Sequence, residues 1–140
     1  MFEIKENTLN INDYKYLRSS VNWKKLSIEQ MEKALANSIV TFCAYDGNKP
    51  IGMGRIVGDG AVICYIQELV VDPAYQQSGV GRALMERLIG YVEELRMENT
   101  ELMLCLMCAK GREPFYEKFG FISRPTESLG PGMIMYLNDK

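Results

Sequence analysis

The chain begins with apolar residues at helical spacing. Ile11, Tyr14 and Leu17 recur at three-residue steps, which predicts a first helix over residues 11–20. Ser27 and Gln30 have the spacing of a capping box, in which each side chain accepts a hydrogen bond from the other residue's backbone N–H. A second helix is therefore expected to begin at Ser27.

The middle of the chain changes to short apolar runs separated by turn residues. Residues 39–45, 51–57 and 61–71 are rich in β-branched and aromatic residues, and the Gly-, Asn- and Pro-containing segments between them predict tight turns. These runs predict three antiparallel strands. Residues 84–95 return to a helical period, and the nearly all-apolar run 102–108 predicts a strand covered on both faces.

The last part of the chain predicts a short helix and one or two strands. Pro114 suits the first turn of a helix over residues 114–119, and residues 121–122 and 133–137 are the final strand candidates. The fold class is therefore α/β, with a mixed, mostly antiparallel central sheet and flanking helices. The predicted order is α-α-β-β-β-α-β-α-β(β), with room for a short extra N-terminal strand.

Composition and charge narrow the class of protein. The 140 residues fit one domain over 1–140, and 47% hydrophobic with 24% charged residues is the balance of an ordinary globular protein. A net charge of −2 gives no basic surface for nucleic acid. Residues 1–6 contain no basic segment followed by an apolar run, so we expect no export signal. The sequence also contains no apolar run of membrane-spanning length, and we expect a cytoplasmic protein with no membrane partner and with reduced cysteines.

The chain has no histidine. This absence excludes a histidine-based nucleophile system and removes the commonest zinc ligand, so we expect no metal. Cys105 and Cys108 form a C-x-x-C pair, but they lie in the apolar strand run, not at a helix N-terminus. We interpret them as buried structural residues; a redox pair is the alternative.

A glycine-containing loop follows the third predicted strand and leads into a helix. Gly79 and Gly81 lack Cβ atoms, so their backbone N–H groups can approach a ligand closely. The N-terminus of a helix favours an anion, which predicts a phosphate or pyrophosphate site here, with Arg82 available to add positive charge. The alternative is that the two glycines only permit a strand-to-helix turn.

At these residues the sequence resembles a known family. Gln76-x-x-Gly79-x-Gly81 is similar to the Q/R-x-x-G-x-G/A signature of the GNAT superfamily of N-acetyltransferases, and the lead-in over residues 69–73 is similar as well. Residues 115–121 resemble the late F-Y-x-x-x-G-F motif of the same superfamily. The pattern as a whole is similar to the small-amine, arylalkylamine-like branch.

The resemblance implies transfer of an acetyl group from acetyl-CoA to a primary amine, by direct attack in a ternary complex. The acceptor is expected to be a small molecule, and a homodimer is one expected assembly. A non-catalytic CoA-binding regulatory module is the alternative. Lys110 stands where many members carry an asparagine. The residues expected to contact acetyl-CoA are Leu69, Val70, Val71, Gln76, Gln77, Ser78, Gly79, Val80, Gly81, Arg82, Lys110 and Phe115.

The resemblance also implies roles in the chemistry. Val70 and Val71 are expected at a strand bulge, where their backbone N–H groups would bond the thioester carbonyl or the pantetheine arm. Tyr116 is the expected general acid for the departing thiolate. Glu68 would lie beside the bulge as the base, acting directly or through water; alternatively it only binds the ammonium or is solvated.

The acceptor pocket is expected between the loop of the first two helices and the loop before the last strand. Trp23, Tyr65 and Met133 would supply an aromatic and apolar lining. Glu127 or Glu68 would hold a cationic amine, and Trp23 would add a cation–π contact.

Overall fold

The computed structural model describes residues 1–139. They divide into two compact units, the first Met1–Leu106 and the second the described residues from Met107 onward. The first unit contains β1 (Glu3–Glu6), α1 (Ile11–Ser20), α2 (Ile28–Ala36), β2 (Val40–Asp46), β3 (Lys49–Gly58), β4 (Ile63–Val71), α3 (Val80–Leu95) and β5 (Met103–Leu106). A 3₁₀ turn over Pro73–Tyr75 precedes the glycine loop. The second unit contains α4 (Glu113–Glu117).

The first unit is built on a five-stranded mixed sheet with the strand order β1-β2-β3-β4-β5. Strands β1 to β4 pair antiparallel with their neighbours, and β4 pairs parallel with β5. The predicted fold class is confirmed, and β1 is the extra N-terminal strand for which the sequence left room.

Local signals place the two N-terminal helices. The capping box predicted at Ser27 is present: the Ser27 hydroxyl accepts from the N–H of Gln30 at 3.1 Å, and the Gln30 side chain accepts from the N–H of Ser27 at 3.4 Å. The first helix begins at Ile11 as predicted, and the side chain of Asn10 caps it by accepting from the N–H of Asp13 at 2.9 Å.

Helices cover both faces of the sheet. On one face α1 and α2 contribute to a buried cluster with inward residues of the strands, comprising Tyr14, Leu17, Met31, Cys43, Met53 and Val70. On the other face α3 lies directly against the backbone of β3. A Cβ atom on Gly54 would lie 2.6 Å from a Leu88 methyl carbon, and one on Gly52 would lie 2.9 Å from a Val80 methyl carbon. The two glycines therefore allow this close approach of the helix.

The second unit is organised around an aromatic cluster. Phe115 makes edge contacts with Tyr116 and Phe119 at ring-centroid distances of 5.0 and 5.4 Å, and Tyr116 contacts Phe121 at 6.2 Å. The short helix was predicted one residue late, since it begins at Glu113.

The strand predictions for residues 121–122 and 133–137 were wrong. None of the described residues after β5 forms a strand. The apolar residues from Met133 to Leu137 are 65 to 89% exposed. An apolar run supplies strand propensity, but it becomes a strand only when another strand pairs with its backbone.

Candidate active site

Strand β4 contains a bulge that controls where Glu68 points. Arg55 pairs with Glu68 and Ile56 pairs with Ile66, so Gln67 is one extra residue on β4. Because paired residues share a face of the sheet and successive residues alternate, Ile66 and Glu68 lie on opposite faces. The bulge therefore turns Glu68 toward α1 and α2.

The bulge was expected at Val70 and Val71, and that position was wrong. Val70 and Val71 pair in regular register with Met53 and Gly52. The extra residue, Gln67, lies earlier in β4 and directly precedes Glu68. Glu68 therefore lies beside the bulge as expected, although the bulge itself is not where it was predicted.

The register also shows which backbone amides of β4 face away from β3. The N–H of Asp72 donates to the carbonyl of Ile51 at 2.8 Å. Antiparallel pairs alternate between hydrogen-bonded and non-hydrogen-bonded, so the amide of Val70 points to β3 while those of Leu69 and Val71 point away. Two amides were predicted to bond the thioester carbonyl or the pantetheine arm. That of Val71 points away from β3, toward the open side of the strand, whereas that of Val70 does not. The amide of Leu69 points to the same side as that of Val71.

These two outward amides lie beyond the end of the parallel ladder. Strand β5 pairs with β4 only as far as Ile66, whereas β4 continues to Val71. Within residues 1–106, Leu69 and Val71 therefore have no strand partner on this side. The side chain of Gln76 donates to the carbonyl of Val71 at 3.1 Å and ties the glycine loop to this end of the strand.

The glycine loop leaves the N-terminus of α3 open. Gly79 is the N-cap residue, with a φ of 90° in the left-handed region that favours glycine, and no side chain caps the helix. A Cβ atom on Gly79 would meet nothing within 4 Å in the part of the chain that the structure describes. The first N–H groups of a helix have no intrahelical acceptor, so this end offers donors and a positive dipole end to an anion.

The neighbours of Gly79 divide into exposed and buried residues. Gln77, Ser78 and Arg82 are exposed, whereas the side chain of Val80 is buried against the sheet, which leaves only its backbone for a ligand. Arg82 lies 3.7 Å from Glu86 with a largely exposed side chain, and a pair of this kind is weak. Gly81 lies within the first turn of α3.

Glu68 lies in a buried ionic cluster. It is 1% exposed, and its carboxylate accepts hydrogen bonds from the Tyr14 hydroxyl at 2.9 and 2.7 Å. It also accepts from Arg55 Nε at 2.8 Å and from Arg18 Nη1. Both carboxylate oxygens are thus engaged by the protein, and the alternative of a solvated carboxylate was wrong. Burial, with the hydrogen bond to Glu68, raises the pKa of Tyr14 to about 12.

Trp23 lies in the loop between α1 and α2, as the sequence placed it. The guanidinium carbon of Arg18 lies 5.3 Å from the centroid of the indole ring, so a cation of the protein itself occupies the predicted cation–π position. Tyr65 is half-buried on β4, where it pairs with Val57 and Cys105.

The other predicted site residues belong to the second unit. Tyr116 is half-buried, and burial raises its pKa above the ordinary value for a tyrosine. Phe115 is also half-buried, whereas Lys110, Glu127 and Met133 are exposed. The structure therefore brings the loop and β4 residues together in one unit and holds Tyr116 in the other.

The cysteines carry no sign of redox or metal chemistry among residues 1–139. All four are free thiols, and no three potential ligands cluster as a metal site would need. Cys105 is half-buried, but Cys108 is exposed, so its predicted burial was wrong. Desolvation raises the pKa of both thiols, which is the opposite of the shift that activates a thiol.

Sequence reasoning missed the partners of Glu68. Tyr14 and Arg18 lie four residues apart on α1 and therefore share a helix face. Arg55 is a single charged residue within an otherwise apolar strand run. A charge in a buried strand requires a partner, and this signal could have identified the cluster.

The mixed sheet, the bulged β4 and the glycine loop at α3 form the fold of an acetyltransferase. Residues 37–123 match the family described as the acetyltransferase (GNAT) domain. The chain therefore belongs to the GNAT family of acetyltransferases. No helix among the described residues combines the length and apolar character needed to span a membrane.

Sequence similarity to other acetyltransferases supports this assignment at the level of the family. The chain is 31% identical over 128 residues to GCN5-related N-acetyltransferase 1, chloroplastic, of Arabidopsis thaliana, covering 87% of this chain and 61% of that protein. A histone acetyltransferase of Glycine max is 29% identical, with 93% and 58% covered. Serotonin N-acetyltransferase 2, chloroplastic, of Oryza sativa is 27% identical, with 79% and 55% covered. The chain spans about three-fifths of the length of these relatives.

A solved structure matches along almost the whole chain. A Staphylococcus aureus protein of unknown function, described as a probable acetyltransferase, superposes with a TM-score of 0.86 at 30% identity. The match covers 98% of this chain and 100% of that one.

Proposed function

We propose that this protein transfers an acetyl group from acetyl-CoA to the primary amine of a small molecule, by direct attack in a ternary complex. The observation that carries the proposal is the uncapped N-terminus of α3 at Gly79, tied by Gln76 to the end of β4. Such an end binds phosphate groups through backbone amides and needs no charged side chain.

The residues of the first unit fit acetyl-CoA in two places. The loop from Gln76 to Arg82 would hold the pyrophosphate, because no side chain caps α3 at Gly79 and a Cβ atom there would meet nothing within 4 Å among the described residues. The outward amides of Leu69 and Val71 would bond the pantetheine arm and the thioester carbonyl. Acetyl-CoA supplies the acetyl group as an activated thioester. An amide aimed at the carbonyl oxygen stabilises the negative charge that develops there.

Proton transfer is assigned to Tyr116 and to water. The raised pKa of Tyr116 keeps its hydroxyl protonated at neutral pH, as a general acid requires. The contacts of Glu68 favour a positioning role, since two arginines and a tyrosine engage both of its oxygens. The proton of the acceptor ammonium therefore goes to water, and Glu68 holds Arg18 and the bulge in position.

The acceptor is proposed to be a small amine. The name of the rice relative supports an acceptor of this size, and the name of the soybean relative supports a protein acceptor instead. We further propose a cytoplasmic enzyme without nucleic-acid or membrane partners, with a homodimer as one expected assembly. The Arabidopsis and rice relatives are chloroplastic.

Calorimetric titration with acetyl-CoA tests the cofactor assignment. We expect the unaltered protein to bind acetyl-CoA with a Kd between about 1 µM and 1 mM, the ordinary range of enzyme affinities for substrates. Gly79→Glu places a negative charge where the pyrophosphate would lie and should weaken binding at least tenfold. Gly90→Glu is the matched control, because Gly90 is exposed on α3 and a Cβ atom there would meet nothing within 4 Å.

The positive φ of Gly79 requires a second variant. Gly79→Asn tolerates the left-handed conformation without adding charge, so it should stay folded and lose less affinity than the glutamate variant. Absence of binding to the unaltered protein would overturn the proposal. Binding without turnover on any amine would favour a CoA-binding regulatory module.

A further inference from the structure

A basic pocket lies between α1 and the start of α2. It is a cavity of about 200 Å³, and its lining includes Lys15, Arg18, Trp23, Lys24 and Lys25. Within residues 1–139, no acidic side chain lines it. The protein as a whole has a net charge of −2, so this local concentration of positive charge is not a consequence of overall composition.

The positive charge of the pocket is not neutralised by the protein. Among residues 1–139, Lys15, Lys24 and Lys25 have no carboxylate within salt-bridge distance. Arg18 is paired with Glu68, but Glu68 is also paired with Arg55, so one carboxylate serves two guanidinium groups. An entering group would therefore meet an excess of positive charge.

The arginine of the pocket is fixed in place before any ligand arrives. Arg18 Nη1 donates to Glu68, Nη2 donates to the carbonyl of Lys24 at 2.9 Å, and the guanidinium lies against Trp23. Its Nε is buried without an acceptor among the described residues, so the protein alone does not satisfy this group. A preorganised guanidinium loses little freedom on binding a carboxylate or phosphate.

These observations argue against the acceptor site for a cationic group that was expected from the sequence. Arg18 already occupies the face of Trp23, and Glu68 already holds two protein cations. A polyamine entering this pocket would place like charges close together, which is unfavourable.

We propose that this pocket recognises an anionic group on the acceptor, so that the substrate is a small amine that also carries a carboxylate or a phosphate. The proposal rests on the proposed acetyl transfer, because it names the class of acceptor for that reaction. The lysines would attract the anion, and Arg18 would orient it beside Trp23.

Trp23 provides a direct test because it is the only tryptophan of the chain. Intrinsic fluorescence would be titrated with four amines of similar length: butylamine, 1,4-diaminobutane, 4-aminobutyrate and 3-aminopropylphosphonate. We expect a saturable change with the carboxylate and the phosphonate and none with the two amines that lack an anion. The tighter of the two anionic amines identifies which anion the pocket prefers.

A charge-reversed variant distinguishes binding in the pocket from nonspecific electrostatic attraction to the whole protein. Lys24→Glu with Lys25→Glu should weaken binding of the anionic amines at least tenfold. The matched control is Lys33→Glu with Lys118→Glu, which changes the net charge equally at two exposed lysines outside the pocket and should bind as the unaltered protein does. Equal weakening in both variants, or no saturable change with either anion, would overturn the proposal.

Kinetics with saturating acetyl-CoA complete the test. The unaltered protein should show a kcat/KM for the preferred anionic amine at least tenfold above that for butylamine, and the Lys24 and Lys25 variant should lose this preference. Acetyl-CoA binding without a fluorescence response would reject the anionic acceptor and leave the transferase proposal standing. A fluorescence response without acetyl-CoA binding would reject the transferase and leave an anion site.

Discussion

The two units of the molecule contain similar apolar residues, but these are buried in the first unit and exposed in the second. In the first unit Met53 and Leu88 are 0% exposed, whereas in the second Met133 is 89% and Leu137 is 87% exposed. None of residues 107–139 is buried. The first unit has ladders and helices that cover its apolar side chains, and the second has one short helix. Burial therefore follows from partner elements and not from hydrophobicity alone, and this difference should appear in the response to mutation.

The largest effect is expected at the buried ionic cluster. Glu68→Ala leaves Arg18 and Arg55 without their carboxylate, and removing one partner of a buried ion pair costs about 3–5 kcal/mol. The matched change in the second unit is Glu127→Ala at an exposed position, where we expect a change within about 0.5 kcal/mol. Denaturant unfolding of both variants measures the difference. Equal free energies of unfolding would show that the Glu68 cluster does not stabilise the first unit.

A smaller contrast is expected between two glycines of positive φ. Gly58 has a φ of 137°, and a Cβ atom there would lie 2.4 Å from the carbonyl oxygen of Ile63. Gly111 has a φ of 87°, and a Cβ atom there would meet nothing within 4 Å. Gly111→Ala should therefore cost only the conformational strain of about 1–2 kcal/mol.

Gly58→Ala should cost that strain together with a steric clash of about 1–3 kcal/mol. Denaturant unfolding at neutral pH measures both alanine variants under the same conditions. If the two lost the same stability, then contacts around Gly58 would be adjustable and the first unit would be less tightly packed than its structure indicates.

Features that depend on residues close together in the sequence were predicted, whereas features that depend on residues far apart in the sequence were not. Signals within a few residues were sufficient: the capping box at Ser27 and the turn at Gly79 were both predicted. The buried ionic cluster around Glu68 was not predicted, because the partners of Glu68 lie 13 to 54 residues away in the chain. The strand predicted over residues 133–137 failed for the same reason, since strand pairing depends on a partner that the local sequence does not specify.

The smallest effect concerns the pH dependence of the first unit. Tyr14 donates to Glu68, and burial raises its pKa to about 12 in the folded state. The unfolded tyrosine has a pKa of about 10, so the folded state holds this proton more tightly. The contribution of Tyr14 is fully present below pH of about 10 and is lost as the pH rises through about 12.

Tyr14→Phe should therefore flatten the alkaline loss of stability, while losing about 1 kcal/mol at neutral pH with the hydrogen bond to Glu68. Urea unfolding of both proteins across the alkaline range measures the two quantities separately. Tyr136→Phe is the control in the second unit, because Tyr136 is 80% exposed and its replacement should leave the neutral stability unchanged. If Tyr14→Phe left the slope unchanged, another group would govern the alkaline response, since only the difference between the two proteins isolates this hydroxyl.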